Sequence, residues 1–175
     1  KIKFQKVGYF EYSNNDYRFF CFRDYLEKNK FDTVFHTDAS DVVVVKNPEP
    51  LVKGLKKYSY FTCKDSIPLS EFPYLKVHQE FNWEDNIKFI LNNNSWDLIN
   101  MGVVGGSCED MLLFYESFCD VRIRMGNPEF NADMWILQYL LRSIFSEKEF
   151  LSGYPVCSEF KKYENNREDV YFIHK

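Results

Sequence analysis

FDTVFHTDASDVVVVKNP, residues Phe31 to Pro48, is the stretch on which the fold turns. It opens with a β-branched and aromatic run up to Thr37, passes two carboxylates, Asp38 and Asp41, and resumes as four valines that stop before Asn47 and Pro48. β-Branched and aromatic residues favour a pleated surface, and Asn-Pro interrupts one, so the stretch predicts strand, acidic turn and strand. Ionised groups beside a buried strand are costly unless something pairs with them. In an extended strand Asp38 and Ser40 would share a side and Asp41 would point away, whereas a tight turn lets residues three apart converge. Two carboxylates brought together call for a hard cation, and oxygen ligands of this kind suit Mn²⁺ or Mg²⁺. An EF-hand is excluded, because its loop needs a glycine at the sixth place and this run continues as valine. The motif alone leaves a second reading open, in which Asp38 caps the turn and Asp41 forms a surface ion pair.

Working outward, the alternation of Ile2 and Phe4 predicts a strand ending near Gly8. A helix of about four turns follows from Ser13, with Asp16 in its first turn, Lys at its end, and Tyr17, Phe20, Cys21 and Tyr25 near one face. Beyond the valines, LVKGLKKY reads as a brief helix, YSYFTCKD as a strand, and Ser66 to Glu80 as an irregular loop containing Pro68 and Pro73. NWEDNIKFILNN restarts helix, and SWDLINMGVVGGS is a strand broken by glycines. CEDMLLFYESFCDVRIRM is helical, with Met111, Leu112, Tyr115 and Phe118 or Cys119 at helical spacing, and NADMWILQYLLRSIF is a second such helix. DVYFIHK is a last apolar run, a strand or its exit. Helices alternating with strands give an α/β chain.

At 175 residues the chain fits one domain with a real core, residues 1–175, and 18 Phe and 12 Tyr make that core one of rings. The net charge of −4 disfavours a nucleic-acid backbone or an anionic membrane as partner, since either rewards a basic surface. Five cysteines, Cys21, Cys63, Cys108, Cys119 and Cys157, are scattered and contain no C-x-x-C pair, which predicts reduced thiols, an intracellular (cytoplasmic) protein and no zinc framework. No apolar run reaches the length of a membrane span, and no charged-then-apolar leader is present. The start at Lys1, without Met, suggests a fragment or a processed form.

The order of TDASDVVV, then NMGVVGG, then NADMWIL and finally IHK resembles nucleotide-sugar-dependent glycosyltransferases of the GT-A fold. Within that class it is similar to glycosyltransferase domains encoded by large algal viruses of the chlorovirus type, over about Asp16 to Lys175. The resemblance implies a Rossmann-like mixed sheet flanked by helices and transfer of a hexose or deoxyhexose from a UDP-sugar donor to a hydroxyl of an acceptor glycan or glycoprotein. For a viral protein it also implies the host cytoplasm. Asp38 and Asp41 would hold Mn²⁺ (or Mg²⁺) and the donor ribose, with Ser40 as the substitute in the strict D-x-D position, and His174 would be the remaining metal ligand. Lys175 would touch the diphosphate, Arg18 the donor phosphates or sugar, and Asn100 and Gly102 the acceptor. Asp133 would face the anomeric carbon and favour retention of configuration. This chain has D-x-x-D where the family has D-x-D, and Met134 where many relatives have Gln. The family's first strand and helix, which normally cradle the base, are missing before Lys1, which implies either a fragment or a base held differently.

Each candidate also has a plainer reading. Gly102, Gly105 and Gly106 fit a bulged central strand, and Asp133 fits a first-turn helix acid. His36 fits a satisfied core or edge group, and His174 a frayed terminal residue. Trp83, Trp96, Tyr74 and Phe72 suit either an acceptor platform or packing, while His78 has no partner that spacing names. Other functions compatible with the sequence are a non-catalytic sugar- or nucleotide-binding module of the same fold, a metal-dependent phosphohydrolase, and a structural subunit with an acidic surface turn.

Overall fold

A computed structural model describes residues 11–72, 84, 88–89, 92–93, 95–160, 162, 164 and 166–175. The strand expected over Ile2 to Gly8 lies outside these residues, as do Tyr74, His78, Trp83 and most of the helix expected from Asn82. The described chain forms a mixed four-stranded sheet flanked by helices, in the α/β class expected. The sheet order is β1 (Thr33–Thr37), β4 (Asp97–Ser107), β3 (Tyr58–Pro68) and β5 (Glu149–Ser152). β1 and β3 run antiparallel to β4, and β5 runs parallel to β3. A second, two-stranded sheet pairs β2 (Val42–Val44) with β6 (Phe172–His174), antiparallel, with Val42 opposite His174. β2 is less buried than its valines suggest, with Val43 and Val44 exposed on this small ribbon.

β4 is one continuous strand rather than a strand broken by glycines. Its residues from Leu98 to Gly106 are all buried, as befits an interior strand covered on both faces. A Cβ at Gly105 would collide with the ring of Phe35 on β1, so the glycine is there for close approach and not for a break. β3 likewise runs on to Pro68, with a register shift at Thr62/Cys63, into what composition reads as loop. β5 has no periodic signal of its own and is held by its parallel pairing to β3.

Tyr60, Met101 and Val104 enter one core and Phe61, Cys63 and Val103 the other. Side chains alternate along each strand, and the register shift opposite Thr62/Cys63 changes the phase on β4 between Met101 and Val103. Helices α1 (Asn14–Lys28), α3 (Cys108–Met125) and α4 (Asp133–Tyr139) cover the first face. The second is covered by α2 (Glu49–Gly54), β6 and the segment around Val156. α1 buries Asp16, Phe19 and Leu26, so the face carrying Tyr17, Phe20, Cys21 and Tyr25 is not the core face. Both sides of α1 are aromatic, and the outer rings stack on one another, as Tyr17 does on Phe20. α3 behaves as its spacing predicts, burying Met111, Tyr115, Phe118 and Cys119. The last expected helix is α-helical only to Tyr139 and continues as a π turn from Leu140 to Ile144.

The thiol expectation is corrected, because Cys63 and Cys157 form a disulfide across 94 residues. Cys21, Cys108 and Cys119 are free. No spacing rule could reveal the pair, since β3 and the segment before β6 meet only in the folded chain. Among the described residues no helix is long and apolar enough to cross a membrane.

Asp16 and Arg122, both with fully buried side chains, tie α1 to α3 through an Nε–Oδ2 contact of 2.6 Å. Arg122 also donates to the carbonyls of Gly126, Asn127 and Phe130, and Asp16 accepts from the Ala132 N–H at 3.1 Å. The whole connection into α4 is thereby set by one ion pair. Burial pushes the Asp16 carboxyl up, and Arg122 pulls it back. Breaking a buried pair from one side costs ~3–5 kcal/mol, so Arg122→Met should lower unfolding stability by about that much in urea titrations at pH 8. With Arg122 gone, the folded chain holds Asp16 protonated at pH values where the unfolded chain has released the proton, so stability falls as pH rises. The deficit should therefore be smaller at pH 5, and an equal loss at both pH values would contradict the account.

Candidate active site

The turn between β1 and β2 begins where the Asp38 N–H donates to the carbonyl of Gly102 on β4, at 2.9 Å. At its other end the Lys175 N–H donates to the Asp41 carbonyl at 2.8 Å, extending the β2–β6 ribbon by one residue. These two backbone bonds bring a local acidic turn to the far end of the chain. Side-chain ligand atoms of Asp38, Asp41 and His174 lie within 4.8 Å of one another. His174 is buried, Asp41 and Asp38 are half-buried, and Ser40 and Lys175 are exposed at the rim.

The His174 imidazole lies against the backbone of β4 at Gly102, where any Cβ would collide with the ring. On its other side the ring meets Phe160 at a centroid distance of 4.3 Å. His174 Nε2 is 3.7 Å from Asp41 Oδ2. Burial lowers the His174 pKa, with Asp41, Asp38 and Asp65 pulling the other way, so the ring is neutral at pH 7 and has a lone pair to offer. Two atoms of this cluster, Asp41 Oδ1 and His174 Nδ1, are buried without a hydrogen-bond partner among the described residues. Buried polar atoms are rarely left so. Two carboxylates and one neutral imidazole, two of whose atoms are unsatisfied, are a donor set that fits Mn²⁺, and Mg²⁺ less naturally because of the nitrogen.

Arg18 on α1 connects this cluster to Asp133. Its Nη1 pairs with Asp38 Oδ1 and its Nη2 with Asp133 Oδ2 at 3.1 Å. Asp133 opens α4 and is buried, its Oδ1 accepting from the Met134 N–H at 2.7 Å. Burial raises its pKa to about 6 despite the opposing pull of Arg18. α4 itself is fastened to the part of β4 that β1 does not reach. Gln138 bonds both the N–H and the carbonyl of Ile99, and the Met101 N–H donates to Met134 Sδ.

Asn100, expected at the acceptor, is buried, donating to Asp65 Oδ2 at 3.0 Å and accepting from the Gly102 N–H at 2.8 Å. Asp65 was not signalled by any motif, because a single inward acid in a strand has no spacing to betray it. His36 is a core residue, as its plainer reading has it. Its Nε2 donates to the Met101 carbonyl, so Nδ1 accepts from the Tyr115 hydroxyl, and burial lowers its pKa to about 3. Trp96 stacks under Arg142, and Phe72 packs on Trp135. A groove of about 500 Å³ lined by Phe31, Phe35, Thr37, Val44 and Pro48 flanks the turn.

No protein-family model matches the chain, and no curated protein matches its sequence.

Asp133 carries a specific stability signature. Between pH 4 and 6 the folded chain keeps the Asp133 proton that the unfolded chain has lost, so this group's contribution falls as pH rises through that window. Asp133→Asn removes an ionisation that is costly at pH 7.5, so the variant should melt higher than the parent there and converge with it below pH 4. A variant less stable than the parent at pH 7.5 would refute the buried-carboxylate account. Gly102→Ala should displace the His174 ring and weaken Mn²⁺ binding, read by water-proton relaxation, by on the order of tenfold or more.

Proposed function

We propose that this chain is a divalent-cation-dependent glycosyltransferase that moves a hexose or deoxyhexose from a UDP-sugar to a hydroxyl of an acceptor glycan, with retention. The observation that carries the reading is the convergence of Asp38, Asp41 and His174, with two of their atoms unsatisfied, beside a third carboxylate, Asp133, reached through Arg18. The order of motifs along the chain supports the same class.

The chemical difficulty is the departure of a diphosphate from the anomeric carbon. A Mn²⁺ or Mg²⁺ ion held by Asp38, Asp41 and His174 would supply Lewis-acid charge for that leaving group. Lys175, exposed at the rim, adds a positive charge. Arg18 fixes the separation of Asp38 and Asp133, so the donor's phosphates and its anomeric carbon would meet preset partners. Asp133 is shielded from water, and an ionised carboxylate in such a place interacts strongly with a developing oxocarbenium ion. Its pKa of about 6 leaves it mostly ionised at pH 7. The aromatic groove beside the turn suits a sugar or base ring.

The test is UDP release from a panel of UDP-sugars and GDP-sugars with and without Mn²⁺. Release should require Mn²⁺ and a UDP donor. Asp41→Asn should weaken Mn²⁺-dependent UDP binding, and unchanged binding would remove the cation assignment. Asp133→Ala should bind donor nearly as well as the parent yet lose transfer by two orders of magnitude or so. UDP binding without release would instead identify a binding module, and inorganic phosphate as the product a phosphohydrolase.

A further inference from the structure

The second face of the sheet contains another group of ligating atoms. Those of Cys63, Cys157 and His174 also lie within 4.8 Å of one another, and all three residues are almost fully buried. In the oxidised chain the two sulfurs are joined. We propose that reduction of this disulfide opens a soft-metal site in which the Cys63 and Cys157 thiolates and one His174 nitrogen hold Zn²⁺.

Three observations support it. First, the ligands are positioned by backbone pairing and not by the S–S bond alone. Cys63 lies in the β3–β4 ladder, opposite Asn100. Cys157 forms a parallel bridge with Phe172, the Ser158 N–H donates to the Phe172 carbonyl at 3.0 Å, and the His174 N–H donates to Ser158 Oγ at 2.9 Å. Opening the disulfide leaves these bonds in place, so both sulfurs stay beside the imidazole. Second, His174 Nδ1 is buried with no partner among the described residues, while Nε2 faces Asp41. The ring thus has a lone pair uncommitted to hydrogen bonding. Third, the donor chemistry is selective, since two thiolates and an imidazole favour Zn²⁺ over Mn²⁺ or Mg²⁺. Tetrahedral zinc with Zn–S near 2.3 Å needs the sulfurs only about 3.7 Å apart, a small separation for two side chains already adjacent. Three protein ligands leave the fourth position to water.

The chemistry balances with a dithiol as reductant. The S–S bond breaks, the dithiol gives up two electrons and two protons and becomes a disulfide, and Cys63 and Cys157 become thiols. Zn²⁺ binding then expels both protons as the thiolates form. His174 is the one residue shared with the cation site of the proposed glycosyltransferase, so this inference touches that reading without depending on it.

The test uses the full 175-residue chain, stripped of metal and kept either oxidised or reduced with a phosphine, which takes oxygen from water and leaves two thiols. Co²⁺ serves as the optical probe and Zn²⁺ as the competitor. The reduced chain should bind one equivalent of Co²⁺ with a thiolate-to-cobalt charge-transfer band that Zn²⁺ abolishes, and the oxidised chain should show no such band. Cys63→Ser and Cys157→Ser should each lose the band, and His174→Asn should weaken Zn²⁺ binding by on the order of tenfold or more. Near-ultraviolet circular dichroism should remain native throughout in the reduced parent. The proposal is overturned if the reduced chain gains no band, if the band survives in both serine variants, or if it arises only with loss of native dichroism. In the last two cases the ligands would be Cys21, Cys108 or Cys119, or an unfolded chain. Failure here leaves Mn²⁺-dependent UDP release untouched, whereas absence of that release would defeat the glycosyltransferase reading and not the thiol site.

Discussion

The buried pair of Asp16 and Arg122 is the constraint from which the rest of the candidate site follows. Two charges removed from water are tolerable only when every remaining donor and acceptor is used. Here they are spent on the carbonyls of Gly126, Asn127 and Phe130 and on the N–H of Ala132. A connection that would otherwise be free to wander is fixed, and Asp133 follows it immediately. Two residues after Asp16, on the same helix, Arg18 reaches both Asp133 and Asp38. One helix therefore carries the structural pair and the bridge between the two carboxylates, and the rigidity of the first is what gives the second a defined length.

What could be seen in the sequence was mostly what is local. The acidic turn, the brief α2, the amphipathic α3 and the capped start of α1 each follow from residues within a few positions of one another, and periodicity or capping reports such things directly. The long-range features were invisible for a matching reason. Arg122 lies 106 residues from Asp16, and Cys157 lies 94 from Cys63, and neither spacing has meaning until the sheet forms. Where α1 is aromatic all round, periodicity could not choose the core face, and the stack of Tyr17 on Phe20 occupied the side that spacing favoured. The glycines of β4 misled because a glycine lowers strand propensity in isolation. In the folded chain those positions are demanded by the ring of Phe35 and the imidazole of His174. The meeting of His174 with the acidic turn came into view only through the likeness in motif order, since the β2–β6 pairing behind it has no local mark.

The site also shows why local rules fail where chemistry is concentrated. Asp133 is a poor choice for stability, as a carboxylate in a dry place whose pKa is raised to about 6. A neutral isostere would fit the same hydrogen bond from Met134. Retaining the acid makes sense when an ionised group is wanted out of water, next to a guanidinium that keeps it ionised at neutral pH. The same holds for His174, buried against Gly102 and Phe160 with a nitrogen unsatisfied. Burial keeps the ring neutral, and a neutral ring is a ligand where a protonated one is not.

That single imidazole belongs to two donor sets of opposite character. One has the oxygens of Asp38 and Asp41, suited to a hard cation, and the other the sulfurs of Cys63 and Cys157, suited to a soft one. A neutral imidazole has one lone pair, so it can serve only one of the two at a time. While the sulfurs are bonded to each other they cannot compete, and the ring belongs to the carboxylates. On the two proposals made above, the disulfide does more than join β3 to the end of the chain, because its oxidation state decides which metal chemistry His174 can enter.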